Sequence, residues 1–351
     1  MDKERKPLVI EAQGTFNAGG RVVKGKGTFD PMNPESPYIV PEDPFSYPDN
    51  GQSLHGDNAH VFYQIPQDRK KYPIVMLHGG FQTMKCWQTT TDGREGFQNI
   101  FLRKNYPVYL VDQPRRGGAG RSTQAAIVPQ VLEDEVQFNI FRLGLWPNYY
   151  EGTQFPKDCP EALDNFYYLI TNNHGDYDIE LNAEALADVF NKVGESIYFT
   201  HSQSGGIGWL TATKTDNIKA IVSFEPGSCF LFPEEEAPET LCSEIKWSTL
   251  PPATTSMENF LKLTKMPIII IYGDNIAKEP CKEIGRDHWR IRVEMAKKFV
   301  DCVNRHGGQA ELVCLPDIGI YGNTHNIFSD LNNVEIADLV EEWINKQGLG
   351  E

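Results

Sequence analysis

Residues 197–208 read Ile-Tyr-Phe-Thr-His-Ser-Gln-Ser-Gly-Gly-Ile-Gly, so an apolar, β-prone run ends at Ser202 with small residues, Thr200 and Ser204, two places to either side. A strand that turns sharply into a helix at such a serine lifts the hydroxyl above the sheet, the geometry of a nucleophile elbow. The pattern is small-x-Ser-x-small, looser than G-x-S-x-G, and Gly205 and Gly206 leave room for the helix to pack closely on the strand. A serine hydroxyl is a weak nucleophile. It needs a base for its proton, and the base needs a carboxylate that fixes its tautomer and stabilises the imidazolium.

Of the eight histidines, His325 suits the base, because Ile-Tyr-Gly-Asn-Thr-His-Asn at 320–326 forms a loop between the last expected strand and the last expected helix. His201 adjoins the serine but would point away at so sharp a turn, so it is expected to pack; His288 and His306 fall at helix ends. The developing oxyanion needs two preorganised backbone N–H groups, one of them supplied by the residue after the nucleophile, Gln203. The other is expected from the loop Leu77-His78-Gly79-Gly80-Phe81-Gln82, where glycine lets the backbone turn inward: Gly80, with Phe81 as the near alternative. Two carboxylates end suitable strands, Glu225 in Phe-Glu-Pro-Gly and Asp274 in Tyr-Gly-Asp-Asn, and either is placed to reach a histidine across the strand ends.

These groups require a particular scaffold. Continuous apolar runs at 73–77, 108–111, 197–199, 220–224, 268–272 and 310–315 read as strands covered on both faces, and helical patterns at 94–104, 182–192, 289–306 and 334–346 fall between or after them. That alternation implies a parallel sheet with helices on both sides. Short β-prone pieces over 8–29 and a strand over 59–65 suggest an antiparallel start, separated by a Pro-, Asp- and Ser-rich surface loop at 31–57. The rhythm breaks between 122 and 178, where eleven apolar and mostly aromatic residues, Phe138, Phe141, Trp146 and Phe166 among them, suit a lid over an apolar pocket. A second excursion, 226–265, is expected at the rim of the same site. Asp112, Arg115 and Arg116 follow a strand end and are expected to brace the structure, not to bind substrate, and Glu234 to Glu236 to form a solvated acidic run.

With 351 residues, 40% hydrophobic and 23% charged, the chain has ample material for a core. A formal charge of −15 disfavours nucleic acid and anionic membrane as partners. The seven cysteines show no CxxC and no Cys/His pairing, so no metal or redox motif is expected, and mostly free thiols point to a reducing compartment. The charged start leads into no long apolar segment. That gives a cytoplasmic expectation, or a secreted or periplasmic one if a signal peptide was removed.

Jointly, Leu77-His78-Gly79-Gly80, the loop at 111–117, the serine motif, Tyr272-Gly273-Asp274 and Asn323-Thr324-His325 resemble the α/β-hydrolase superfamily, over the region from 73 to the C-terminus. The resemblance implies an α/β-hydrolase fold: a mostly parallel central sheet with an antiparallel N-terminal part, helices on both faces, a core of 1–122 and 179–351 and an inserted lid at 123–178. Most members carry the acid a few residues beyond the glycine, near Ile276. The H-S-Q-S-G motif is similar to that of a smaller branch of bacterial esterases, whose acid is a glutamate one strand earlier, the position of Glu225; Asp274 is the alternative.

The resulting expectation is a cofactor-free serine hydrolase acting on a small apolar or aromatic ester or lactone through Ser202, His325 and Glu225, with Gly80 and Gln203 as oxyanion donors. Acyl transfer, cleavage of a C–C or amide bond by the same triad, and a non-catalytic ligand-binding member of the fold are the alternatives.

Overall fold

A computed structural model describes residues 6–32, 46, 49–128 and 130–351; most of the expected loop at 31–57 lies outside the described residues. The central sheet has eight strands: β1 (Ile10–Lys24), β2 (Ser53–Pro66), β3 (Ile74–Leu77), β4 (Val108–Asp112), β5 (Ser196–His201), β6 (Ile218–Phe224), β7 (Pro267–Tyr272) and β8 (Gln309–Cys314). Their spatial order is β1-β2-β4-β3-β5-β6-β7-β8. β1 pairs antiparallel with β2, and β2 with β4; every later pairing is parallel. The chain therefore reverses direction beside β3 and β5, whose carboxyl ends lie at the centre of the sheet, where open α/β sheets bind ligands.

The continuous apolar runs arise because both faces of these strands are covered. Ile268, Ile270 and Tyr272 of β7 enter the core on one side and Ile269 and Ile271 the core on the other, the period of two expected of a strand. One core is closed by α4 (Ile179–Val193), α5 (Ser204–Ala212) and α6 (Ile284–Arg305), the other by α1 (Phe97–Arg103) and α7 (Asn333–Lys346).

The N-terminal β pieces join into one strand of 15 residues, and β2 begins at Ser53, inside the stretch expected to be loop. Gly19, read as punctuation, stays within β1 at a φ of +64°, where a Cβ would lie 2.8 Å from Ala185 Cα of α4. Helix α6 starts five residues before the expected 289, so His288 falls inside it, not at its end. Of the acidic run, Glu236 is bound by Arg305 and His306 at 2.6 and 2.9 Å, not merely solvated.

The insertion after β4 carries α2 (Asp134–Ile140), a short hairpin and α3 (Ala162–Tyr168). Phe138, Phe141, Leu143, Phe155 and Phe166 bury one another in a satellite core. Helix α2 lies so close to α6 that a Cβ on Gly285 would come 1.9 Å from the Asn139 carbonyl oxygen. No helix of the described residues is long and apolar enough to cross a membrane.

Candidate active site

Ser202 follows β5 directly and adopts a φ of +54°, left-handed backbone that a non-glycine residue holds only when its surroundings impose it. Its N–H donates to the Phe224 carbonyl at 2.9 Å, and its own carbonyl accepts from the N–H groups of Gly205 and Gly227 at 3.0 Å each. Ser204, where glycine is usual, reinforces the turn: its hydroxyl accepts from His201 N–H at 2.8 Å and lies 3.0 Å from the Leu77 carbonyl. Close packing falls to three glycines. A Cβ on Gly205 would meet Pro226 Cβ at 2.6 Å, one on Gly206 would meet Cys229 Cβ at 2.5 Å, and one on Gly208 would meet Thr200 Cγ2 at 2.8 Å. Thus Gly208 fits the helix to its strand, while Gly205 and Gly206 admit the turn that follows Glu225.

Ser202, Gln203, Gly80, Phe81 and His325 line one cavity of about 350 Å³. The loop after β3 reaches it because Gly79 has no side chain: a Cβ there would lie 2.7 Å from the His201 ring and 3.0 Å from Ser202 Cβ. A Cβ on Gly80 would stand 3.5 Å from the Gln203 side chain, so the two residues chosen as oxyanion donors are neighbours beside the serine. Phe81 also sits at positive φ, with its carbonyl accepting from Thr171 N–H of the insertion at 2.7 Å.

The two carboxylates part company here. Glu225, fully buried and itself at a φ of +53°, accepts from His325 Nδ1–H through Oε2 at 3.0 Å. Its Oε1 accepts from Arg142 Nη2 at 2.6 Å and from Gly273 N–H. Burial pushes the Glu225 carboxyl upward, and the Arg142 guanidinium and the Gly273 amide oppose that rise. Asp274 instead accepts from Asn275 N–H at 2.6 Å and Gly322 N–H at 2.7 Å, so it braces the loop that carries His325.

His325 is held on every side. Its N–H donates to Phe141 O of the insertion at 2.8 Å, and its ring centroid lies 4.9 Å from that of Phe141 and 4.1 Å from that of Trp289. Burial drives its pKa well below the ordinary histidine value, and the nearby guanidinium groups of Arg142 and Arg292 add to the effect. The imidazole is therefore neutral. With Nδ1 keeping its proton and donating it to Glu225, Nε2 is left free to accept a proton. His201 packs behind it, as expected: its ring nitrogens lie 2.9 Å from Gln82 Oε1 and 3.0 Å from the His325 carbonyl oxygen.

Several residues of this arrangement carried no sequence signal that singled them out. Arg142, from the insertion, is fully buried, binds Glu225 and donates from Nε to the Asp274 carbonyl at 2.7 Å. Asp330 accepts from Thr324 N–H, Thr324 Oγ1 and Asn323 Nδ2 at 2.7, 2.8 and 3.0 Å; burial raises its pKa to about 7 against those bonds. His288, Trp289 and Arg292 bring α6 to the cavity wall. The bracing role expected of the loop after β4 rests partly on Asp57, which takes Arg115 in a two-pronged ion pair. Burial acts to raise Asp57, but the bonds from Arg115 and Thr123 prevail and hold it at about 2. Asp112 accepts from Met84 and Gly118 N–H groups at 2.7 Å each, and Arg116 donates to the Gly79 carbonyl at 3.0 Å.

This strand order, with a serine at the turn after β5 and a histidine in the loop after β8, is that of the α/β-hydrolase fold. Among solved structures, that of a bacterial esterase superposes on 99% of this chain and 99% of its own, with a TM-score of 0.75 and 28% identity. A probable secreted lipase of a fungal species (strain ATCC 74256) is 28% identical over 329 residues, 85% of this chain and 88% of that protein. No family model matches the sequence.

Proposed function

We propose that the protein is a carboxylic-ester hydrolase working through a Ser202–His325–Glu225 triad and an acyl-enzyme. The observation that carries this reading is the 3.0 Å contact from His325 Nδ1 to the buried Glu225, which leaves a neutral Nε2 on the wall of the cavity that Ser202 also lines. Among the described residues the Ser202 hydroxyl makes no hydrogen bond, so it stands open to the cavity; its contact with His325 closes when substrate is bound, as such contacts tighten in the Michaelis complex. The hydroxyl attacks the carbonyl while His325 takes its proton and then delivers it to the leaving alkoxide. The amides of Gly80 and Gln203 hold the oxyanion, and water releases the acid with His325 as base again.

Phe81, Ile140, Phe141, Trp247 and Trp289 give the cavity an apolar wall, which supports a small ester or lactone with an apolar or aromatic portion. The segment 123–178 acts as a lid in this reading, and one that also holds the triad, since Phe141 and Arg142 secure His325 and Glu225. The two names attached to the relatives, esterase and lipase, support the same bond class. Seven free thiols support a cytoplasmic site of action, and the name of the fungal relative, a probable secreted lipase, supports secretion as the alternative.

Incubation with a fluorophosphonate is expected to attach one label per chain, on the peptide containing Ser202, and to stop hydrolysis of p-nitrophenyl esters in proportion. A label on another residue, or turnover that survives full labelling, overturns the proposal.

The pH profile gives an independent check. The base works as the neutral imidazole, so activity is present above its pKa and lost as pH falls through it. Because that pKa is lowered from 6.5, kcat/KM for p-nitrophenyl acetate is expected to stay level from neutral pH through 6.5, with its acid limb below that value. A limb centred at or above 6.5 contradicts the buried, cation-flanked environment assigned to His325.

A further inference from the structure

Arg292 is 7% exposed and lines the cavity beside Ser202, yet among the described residues no carboxylate pairs with it. Its Nε donates to the Gly227 carbonyl at 3.0 Å, and its Nη1 to the His288 carbonyl at 2.6 Å and to Ser248 Oγ at 3.3 Å. All three acceptors are neutral, and among the described residues Nη2 has none. Of the other buried arginines near the site, Arg115 pairs with Asp57 and Arg142 with Glu225, while Arg116 donates to neutral acceptors, among them Asn173 Oδ1 and the Gly79 carbonyl, and does not line the cavity. A guanidinium withdrawn from water without a counter-charge is costly to fold around, and burial accordingly lowers the pKa of Arg292 to about 10.

The rest of the cavity wall does not answer that charge. None of its lining residues is an aspartate or glutamate. His288 is held neutral, its pKa lowered to about 2 chiefly by burial and then by Arg292 itself, and His325 is neutral for the reasons given above. Glu225 lies behind His325, already taken by Arg142 and Gly273. Titratable and charged groups facing the cavity thus leave one uncompensated positive charge in an apolar chamber, on a protein whose overall charge is −15. Gly227 ties that charge to the nucleophile, for its N–H holds the Ser202 carbonyl while its own carbonyl holds Arg292.

We propose that Arg292 is a specificity-determining residue and that the substrate is an ester bearing a carboxylate, which enters the cavity to pair with the free edge of this guanidinium. The inference rests on the ester-hydrolase reading and narrows its substrate class: an apolar or aromatic body against Trp289 and Phe141, with an anionic end on Arg292. The planar fork of a guanidinium suits a carboxylate, and against a largely apolar wall such a pair is strong enough to select among substrates.

The test uses two probe sets, p-nitrophenyl monoesters of the dicarboxylic acids from succinic to adipic and butyryl esters of short ω-hydroxy acids, each beside an uncharged analogue of equal length. The readout is the ratio of kcat/KM for the charged and uncharged member of a pair, so that a general loss of activity cancels. In the native protein at least one charged probe is expected to be preferred. In Arg292→Gln that ratio is expected to fall by about 10²-fold, the size of effect seen when one partner of a buried charged pair is truncated. Preference for the uncharged member throughout, or a ratio that Arg292→Gln leaves in place, overturns the assignment. The same ratio taken from equilibrium binding to Ser202→Ala requires no turnover. Tighter binding of a charged ester by a chain whose native form hydrolyses neither would refute the hydrolase reading and keep the role of Arg292; equal binding would refute the role of Arg292 alone.

Discussion

Ser202→Ala is expected to lower kcat toward p-nitrophenyl esters by about 10⁵- to 10⁶-fold, leaving only what binding and the oxyanion donors contribute. The variant should fold as the native chain does. Every hydrogen bond that fixes residue 202 in its left-handed conformation is a backbone bond, from its N–H to Phe224 and to its carbonyl from Gly205 and Gly227. Alanine keeps all three and meets the same backbone penalty as serine. Among the described residues the lost hydroxyl has no partner, so its removal strands none of their buried groups. Thermal unfolding within a degree or two of the native midpoint, together with loss of both turnover and phosphonate labelling, is the expected combination. Turnover within about tenfold of native would transfer the nucleophile elsewhere, and a collapsed midpoint would show that the elbow depends on more than its backbone.

How far the sequence foretold this site follows from the range over which each residue acts. The parallel strands were legible because burial on both faces leaves little except apolar residues, as in Ile268 to Tyr272. The turn at Ser202 was legible because the elbow is a local device: the strand, the turn and the small residues around it are consecutive. The hairpin of β1 and β2 was not, since most of β1 faces solvent and its glycines look like breaks until the approach of Ala185 is seen. Gly285 hid the first turn of α6 in the same way, for it reads as a helix breaker and serves instead to admit the Asn139 carbonyl. With that turn hidden, His288 reads as a helix end, and nothing local sets Arg292 apart from a solvated helical arginine. Arg142 was the least legible of all. It lies 83 residues from Glu225 in sequence, within a segment that aromatic content marked as a cover, and nothing local sets it apart from a solvated arginine.

Glu225→Gln is expected to lower kcat by about 10³- to 10⁴-fold, whereas Asp274→Asn costs no more than a few-fold. The asymmetry follows from which atoms face which donors. Arg142 Nη2 and Gly273 N–H both donate to Glu225 Oε1, so a glutamine at 225 must keep its carbonyl oxygen there and turn its NH₂ toward His325 Nδ1. An NH₂ can only donate, and it would therefore hold Nδ1 unprotonated and move the ring proton to Nε2, the nitrogen that has to accept from Ser202. The substitution leaves shape unchanged and inverts the tautomer. Asp274 touches neither nitrogen of His325; it accepts from the backbone of Asn275 and Gly322. Asparagine there keeps one acceptor oxygen and loses the other, at about 1–2 kcal/mol of stability, with the loop that carries His325 slightly loosened. Kinetics of both variants beside a denaturation midpoint separates the two roles: Glu225→Gln loses rate by orders of magnitude and also lowers the midpoint, because it leaves the buried Arg142 without its counter-charge, whereas Asp274→Asn lowers the midpoint and keeps kcat within a few-fold. If instead Asp274→Asn loses the larger share of kcat, the acid of this triad follows β7 and not β6, and the carboxylate now seen on His325 is a brace.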